Sequence, residues 1–279
     1  MYTINCRGKL INLEHPRVMG ILNITPDSFY KGFAGSSTQE IIDIAGTMIR
    51  EGASIIDIGG QSSRPGSERI SSGEELERVL PVIQELRKQF PAILISIDTY
   101  SSHVAECAVE AGAEIINDIS FGEMDPEMFR VAGKLKVPYI GMHMKGRPEN
   151  MQLNPEYNDV SLEVLQYFSQ RIALAKKAGI KDIILDPGFG FGKTSSHNME
   201  LLYNLGKLSV AGYPLLAGLS RKSTISKILG VDSSNALNGT TILNTIALLN
   251  GVSIIRVHDV KESVECIKLV EVYKKNGFR

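Results

Sequence analysis

The sequence is short of cysteine and of charge bias, and each shortage argues against a class of protein. The three cysteines, Cys6, Cys107 and Cys266, are far apart, odd in number and without Cys-X-X-Cys spacing. This usage argues against a disulfide framework or a zinc site. The 30 basic and 31 acidic residues leave a net charge of −1, so no overall field attracts nucleic acid or an acidic membrane. We expect free thiols in a reducing cytoplasm and no nucleic-acid partner.

Long apolar runs and linker-like stretches are also missing. No run approaches the roughly 20 apolar residues of a membrane-spanning helix. Residues 1–10 lack the apolar core of a secretory signal peptide. No stretch rich in Pro, Gly or Ser divides the chain. We therefore expect a soluble cytoplasmic protein without a membrane partner, in which residues 1–279 form one domain.

What the sequence does contain is a regular alternation of strand-like and helix-like segments. Almost continuously apolar runs, typical of parallel strands covered on both faces, occur at 18–22, 54–58, 93–97, 114–116, 138–142, 182–185, 214–217 and 253–257. Segments with helical apolar spacing follow at 39–51, 74–90, 101–111, 127–135, 162–178, 198–208, 240–250 and 262–274.

Eight consecutive strand–helix units predict an α/β fold, specifically a (β/α)₈ barrel of the TIM type. Gly52, Gly112 and Gly179 each follow a helical segment, where we expect left-handed caps. An open doubly wound sheet is the alternative, because strand order cannot be read from one sequence.

Polar residues follow nearly every predicted strand, at the barrel end where such folds build their sites. Capping of the next helix explains a single Asp or Asn at a strand end, but not a whole rim of polar residues. One group consists of carboxylates and an amide that suit a ring rich in N–H donors: Asp57, Asp98, Asn117 and Asp186. The other consists of cations that suit phosphate or carboxylate oxygens: Arg64, Lys222, Arg256 and His258. Together they indicate a site for a phosphorylated, nitrogen-rich heterocycle.

Several short motifs, taken in order, resemble the dihydropteroate synthase family. They are NITPDSF at 23–29, DIGGQSSRPG at 57–66, ISID at 95–98, ND at 117–118, MHM at 142–144, DPGFGFGK at 186–193, SRK at 220–222 and RVHD at 256–259. The resemblance runs from about residue 18 to about residue 270. Each motif is short, but the ordered set is specific, and a shared barrel fold would not produce it.

The resemblance implies that 6-hydroxymethyl-7,8-dihydropterin pyrophosphate condenses with 4-aminobenzoate, giving 7,8-dihydropteroate and pyrophosphate. It also implies a dissociative substitution, a Mg²⁺ cofactor and a homodimer. The implied catalytic residues are Asp98, Asp186, Lys222 and Arg256. The implied pterin contacts are Asp57, Asp98, Asn117, Met142, Asp186, Gly218, Lys222 and Arg256. The implied pyrophosphate contacts are Asn23, Arg64, Arg256 and His258, with Asn23 also the metal ligand. The implied 4-aminobenzoate contacts are Phe29, Ser63, Pro65, Phe189, Ser220 and Lys222.

The chain departs from the family pattern in two loops, at residues 30–33 and 61–63, and these departures leave the response to sulfonamides open. Two other functions remain as alternatives. A methyltetrahydrofolate-dependent methyltransferase would share the Asp/Asn ring slot, but it would not need the cations that suit pyrophosphate. A non-catalytic pterin-binding protein would be expected to have lost residues such as Asn23 or Arg256, which are present.

Overall fold

The computed structural model describes residues 2–24, 37–62, 69–148 and 150–277. An antiparallel hairpin of β1 (Thr3–Cys6) and β2 (Lys9–Asn12) comes first. The parallel strands that follow are β3 (Arg17–Asn23), β4 (Ile55–Gly59), β5 (Leu94–Asp98), β6 (Ile115–Asp118), β7 (Tyr139–Met142), β8 (Ile183–Asp186), β9 (Leu216–Ala217) and β10 (Ile254–Val257). They match the eight predicted strands to within about two residues at each end.

The parallel strands form a barrel. They pair in the order β8-β7-β6-β5-β4-β3-β10-β9. A parallel bridge between Leu185 and Leu215 joins the two ends of this order. The (β/α)₈ prediction is therefore confirmed, and the open-sheet alternative is wrong.

Helices connect the strands. In the described ranges they are α1 (Thr38–Glu51), α2 (Ser72–Gln89), α3 (Ser102–Ala111), α4 (Met128–Leu135), α5 (Val160–Lys177), α6 (Ser195–Tyr203), α7 (Ser223–Leu229), α8 (Leu237–Leu249) and α9 (Val260–Asn276). Gly52, Gly112 and Gly179 follow helices with φ of 107°, 127° and 90°, so the expected positive φ is confirmed at all three. None of these helices is long and apolar enough to cross a membrane.

Several elements of the described ranges were not predicted. The helix expected at 198–208 ends at Tyr203 and continues as a 3₁₀ segment, Leu205–Ala211. Helix α7 has seven residues, too few for an apolar period to show. The hairpin turns through Arg7 and Gly8, whose φ values of 52° and 95° suit the two-residue turn that its register requires.

The core of the described residues has two large layers and one small apolar cluster at the carboxyl end, formed by Ile119, Met142, Met144 and Met151. The main layer lies between the barrel and its helices. The second layer packs hairpin side chains, including Ile4 and Ile11, against the first residues of the strands, such as Ile55 and Ile254. The hairpin thus closes the amino end of the barrel. Cys6, Cys107 and Cys266 are free, as expected.

Candidate active site

The carboxyl rim gathers polar residues from strands that are far apart in sequence. Asp98 and Asn117 end neighbouring strands and lie side by side in the β5–β6 register. Asp186 ends β8 and lies beside Met142 of β7. Asp57 lies in β4 and is fully buried. Barrel closure therefore brings together all four acidic or amide residues predicted to contact one ring.

Arg256 of β10 connects this group. Its Nε lies 2.6 Å from Asp57 Oδ2, and its Nη2 lies 2.5 Å from Asp98 Oδ2. Asn117 Nδ2 donates to Asp57 Oδ2 at 3.0 Å. The other oxygen of Asp57, Oδ1, is buried and has no hydrogen-bond partner in the protein. A buried carboxylate oxygen without a donor is costly, so this oxygen is a natural acceptor for a ligand N–H.

The charged groups of this cluster shift one another's pKa values. Burial raises the pKa of Asp98 to about 7; the Arg256 guanidinium works against this shift, and the Asp57 carboxylate adds to it. Burial works to lower the pKa of Arg256, but the carboxylates of Asp57 and Asp98 outweigh it and hold that pKa above its ordinary value. The arginine is thus a fixed cation, and Asp98 titrates within reach of neutral pH.

A second group lies across the rim at β8 and β9. Asp186 Oδ1 accepts from the Gly188 N–H at 2.8 Å, and burial raises the pKa of Asp186. The Lys222 ammonium donates to the carbonyl oxygen of Phe189. Burial lowers the pKa of Lys222 to about 8, with the Asp186 carboxylate opposing the shift.

Gly218 separates the two groups. A Cβ at this position would lie 3.8 Å from Lys222 Nζ and 4.0 Å from Arg256 Cβ. Glycine at this position thus places no side chain between Lys222 and Arg256.

The remaining polar residues line the edge of the rim. Ser220 Oγ lies 3.1 Å from His258 Nδ1 and accepts from the His258 backbone N–H. Asn23 ends β3 opposite Gly59, and a Cβ at Gly59 would lie 3.2 Å from Asn23 Oδ1. Among the described residues no side chain hydrogen-bonds the Asn23 amide, so its oxygen is available to a cation.

Some predicted contacts fall elsewhere. Phe29, Ser63, Arg64 and Pro65 lie outside the described residues. Phe189 needs a correction, because its ring is 1% exposed and packs in the main core, where it cannot wall an open pocket. Two residues further on, the ring of Phe191 lies 4.7 Å from Lys222 Nζ at the edge of the site. Alternation along an irregular Gly-rich loop does not reveal which ring faces outward.

Two residues of the motifs, Arg221 and Lys193, had no predicted role. Arg221 forms a two-pronged ion pair with Asp259, at 2.9 and 2.8 Å, which fixes the β9 loop to the β10 loop. Lys193 is buried and bonded to its own loop. The sequence signal that would have singled out Lys193 is a lysine at the end of a Gly-rich run directly after a strand. Once buried there, its amine needs acceptors within the protein.

Nothing in the described ranges forms a cluster of three or more His, Cys, Asp or Glu residues placed to hold a metal. A metal here would therefore take few protein ligands. Asn23 is the candidate ligand, because it ends β3 and its amide oxygen lies beside Gly59, which has no side chain. A hard cation with one protein oxygen and the rest from water and phosphate is usual for Mg²⁺.

Known proteins match this arrangement over nearly the whole chain. The family described as pterin binding enzyme matches residues 19–258. The dihydropteroate synthase of Escherichia coli strain K12 is 45% identical over 267 residues, which cover 95% of this chain and 94% of that protein.

Solved structures agree. The Yersinia pestis dihydropteroate synthase, solved with a sulfonamide drug complex, superposes with a TM-score of 0.95 at 40% identity, covering 98% of this chain and all of that one. The Xanthomonas albilineans dihydropteroate synthase in complex with 7,8-dihydropteroate gives a TM-score of 0.88 at 36% identity, covering 98% and 99% of the two chains. The family expected from the motifs is thereby confirmed, and the chain belongs to the dihydropteroate synthase family of pterin-binding enzymes.

Proposed function

We propose that the chain condenses 6-hydroxymethyl-7,8-dihydropterin pyrophosphate with 4-aminobenzoate to give 7,8-dihydropteroate and pyrophosphate. The observation that carries this proposal is the Arg256 cluster, in which one half-buried guanidinium holds Asp57 and Asp98 side by side with Asn117. Such a row of acceptors suits the N–H edge of an aminopyrimidinone. The name shared by the relatives supports the same reaction.

The two groups on the rim divide the pterin between them. Asp57, Asp98 and Asn117 accept from its N–H groups, and Met142 lines the slot from β7. Asp186 and Lys222 meet the opposite edge, with Gly218 leaving room between them. Arg256 lies between both groups and presents its guanidinium plane to the ring face.

The reaction follows as a dissociative substitution. The C–O bond to pyrophosphate breaks first and its electron pair leaves with the pyrophosphate, whose charge Arg256, His258 and Arg64 stabilise. The pterin carries the resulting cation on its exocyclic methylene, near the carboxylates of Asp98 and Asp186. The aminobenzoate nitrogen then forms the C–N bond and releases a proton. Because an arylamine is uncharged at neutral pH, no strong base is needed.

The aminobenzoate lies at the outer edge of the rim. Lys222 and Ser220 face it, and Phe191 in place of Phe189 supplies an aromatic wall from the described residues. Phe29, Ser63 and Pro65 stay predictions for the same pocket. A sulfonamide, which resembles 4-aminobenzoate in shape and charge, would compete there.

Activity is expected to fall above pH 8. Burial lowers the pKa of Lys222 to about 8, so the ammonium present below that pH becomes a neutral amine above it and no longer attracts the substrate. A plot of kcat/KM against pH should fall about tenfold per pH unit on this limb. Lys222→Arg keeps its charge at high pH, so the limb should move to higher pH. An alkaline limb unchanged in that variant would contradict the assignment.

Mg²⁺ fits Asn23, and when bound it would supply positive charge to the pyrophosphate oxygens. Asn23→Ala is expected to raise the Mg²⁺ concentration for half-maximal activity about tenfold or more, because the one protein oxygen is lost. Activity titrated with Mg²⁺ measures this. Asn12→Ala, an exposed change in the hairpin, is the control. Equal Mg²⁺ requirements in both variants would contradict the Asn23 site.

The function itself is tested by pyrophosphate release titrated against 4-aminobenzoate. Release that rises with 4-aminobenzoate and saturates supports the synthase. Pterin binding without release supports the non-catalytic alternative. Methyl transfer from methyltetrahydrofolate without pyrophosphate release supports the methyltransferase.

We also propose a homodimer formed through α8 and α9. These helices pack together and expose apolar side chains, with Ile242 at 50%, Leu269 at 72% and Tyr273 at 67% exposure. Such a patch is typical of a protein interface. Ile242→Lys combined with Leu269→Glu is expected to shift the light-scattering mass from twice 30.6 kDa to a single chain. Leu174→Lys on α5, also an exposed leucine, should leave the mass unchanged. A wild-type mass of one chain would contradict the dimer.

Two broader expectations stand as proposals. The whole chain, residues 1–279, forms one domain, supported by the single barrel order that its described strands share. The enzyme works in the cytoplasm, which its three free cysteines suit. Limited proteolysis and fractionation of cells are the corresponding measurements.

A further inference from the structure

A buried lysine fastens the loop between β8 and α6. Lys193 is 3% exposed. Its Nζ lies 2.9 Å from His143 Nδ1, 3.0 Å from the carbonyl oxygen of Gly188 and 3.1 Å from that of Phe191. An ammonium group has three N–H donors, so these acceptors satisfy all of them. The lysine is thus occupied within the protein and not open to a ligand.

His143 is built to accept from this lysine. Burial, together with the positive charges of Lys193 and Lys145, lowers the pKa of His143 to about 2. The ring is therefore neutral, and Nδ1 carries a lone pair for the ammonium. The ring is held edge-on against Tyr167, with the ring centres 4.9 Å apart. The backbone N–H of His143 donates to the backbone carbonyl oxygen of Asp186 at 2.9 Å. The acceptor is fixed at the end of β7.

The loop itself lies directly on the chain that follows β7. Gly188 and Gly192 adopt φ of 69° and 60°. A Cβ at Gly188 would overlap the carbonyl oxygen of His143, and one at Gly192 would overlap that of Lys145. Only glycine fits such contacts. Burial lowers the pKa of Lys193 well below its ordinary value, so hydrogen bonds to neutral acceptors, and not an ion pair, hold it. Lys193 is the one side chain that fastens this otherwise backbone-to-backbone contact in the described residues.

This loop carries both groups that meet Lys222. The carbonyl oxygen of Phe189 accepts from the Lys222 ammonium, and the Phe191 ring lies 4.7 Å from it. The carboxylates of the opposite group, Asp57 and Asp98, are held by Arg256 instead. A shift of the loop would therefore disturb one side of the site and spare the other.

We propose that Lys193, with His143 as its acceptor, is a positioning residue that holds the Gly188–Phe191 loop so that Lys222 and Phe191 are ready for 4-aminobenzoate. This rests on the proposed function above. Lys193 touches neither substrate and acts through Lys222 and Phe191. Its loss weakens the aminobenzoate side of the site selectively.

The test compares Lys193→Met with Lys181→Met, an exposed lysine just before β8. The methionine keeps the length of the side chain and removes all three donors. We expect the KM for 4-aminobenzoate to rise about tenfold or more, since three buried hydrogen bonds that hold the loop are lost. The dissociation constant for the pterin pyrophosphate, measured calorimetrically, should rise much less than this KM, because Arg256 and not the loop holds Asp57 and Asp98. Equal KM values in both variants, or a parallel loss for both substrates, would overturn the proposal.

A second pair of variants guards against a Lys193→Met protein that does not fold. His143→Asn keeps an acceptor oxygen near the place of Nδ1, and His143→Leu removes it. The KM for 4-aminobenzoate is expected to rise in the leucine variant. In the asparagine variant it should stay close to the wild-type value. The alkaline limb set by Lys222 should shift in the leucine variant alone. If both variants behave alike, the proposal fails. Absence of turnover by the wild type would instead refute the proposed reaction, so the two failures are distinguishable.

Discussion

Replacing Arg256 with methionine is expected to lower both stability and activity more than any other single change at the rim. The substitution leaves Asp57 and Asp98, both buried, without the cation that lies 2.6 and 2.5 Å from them. Removing one partner of a buried ion pair costs about 3–5 kcal/mol in the free energy of unfolding. The pterin slot also loses the group that aligns its acceptors, so turnover should fall to background.

The stability loss of this variant should depend on pH in a defined direction. Without Arg256, burial holds the pKa of Asp98 even further above that of an unfolded Asp, about 3.9. The folded state then binds more protons than the unfolded state, and stability falls as pH rises from about 4 through neutrality. Urea unfolding at pH 5 and pH 8 measures this. An equal or larger loss at pH 5 would contradict the cluster.

Two control variants show whether the effect of Arg256 comes from its charge or its geometry, and whether it acts in the site or only in the stability of the fold. Arg256→Lys keeps the charge, but one ammonium cannot replace the two guanidinium nitrogens that bond separate carboxylates. Activity should therefore stay at least about a hundredfold below that of the wild type. Arg87→Met removes another half-buried arginine, which pairs with Glu114 at 2.7 Å away from the rim. The Arg87→Met protein should be less stable than the wild type but should keep its activity per folded molecule.

The second large effect is expected from Asp98→Asn. The amide has the same shape and keeps one oxygen toward Arg256, but it carries no charge to stabilise the pterin cation. Loss of one such electrostatic contact lowers kcat by about 10²–10³-fold. Because burial raises the pKa of Asp98 to about 7, its charge is costly to the folded state, so stability should not fall. Steady-state kinetics and urea unfolding check the two statements.

Asp118 is the matched control for this variant. It follows Asn117, is fully buried, and accepts from the Tyr139 hydroxyl at 2.5 Å and the Gly122 N–H at 2.7 Å. Asp118→Asn should lower stability, because it weakens a buried network that faces away from the rim. Its activity per folded molecule should remain. The same loss of activity in both variants would mean that Asp98 acts through the fold and not through its charge.

The barrel could be predicted because two of its causes are local. Strands covered on both faces have almost continuous apolar runs, and glycines such as Gly52 mark helix ends. The polar rim was predictable for the same reason, since each strand ends where its polar residues begin. The short helix α7 and the N-terminal hairpin lacked such a period, and only packing against the barrel defines them.

Contacts between side chains were less accessible to sequence analysis. The grouping of Asp57, Asp98, Asn117 and Arg256 was expected, but not that Arg256 would bond two carboxylates at once, because this depends on barrel closure between β10 and β3. The sequence did not show that Phe191, and not Phe189, lies beside Lys222. The direction of the two rings depends on the positive φ of Gly188 and Gly190, which the sequence does not reveal. The role of Lys193 depends on His143, 50 residues away.

The measurement that tests the central claim most directly is mass-spectrometric detection of 7,8-dihydropteroate formed by the purified chain. The substrates are 6-hydroxymethyl-7,8-dihydropterin pyrophosphate and 4-aminobenzoate with Mg²⁺, and pyrophosphate is quantified in parallel. We predict that the two products appear in equal amounts, and that the rate drops about a hundredfold or more in Asp98→Asn and not in Asp118→Asn. A folded wild-type protein that binds the pterin pyrophosphate but forms no dihydropteroate would contradict the claim.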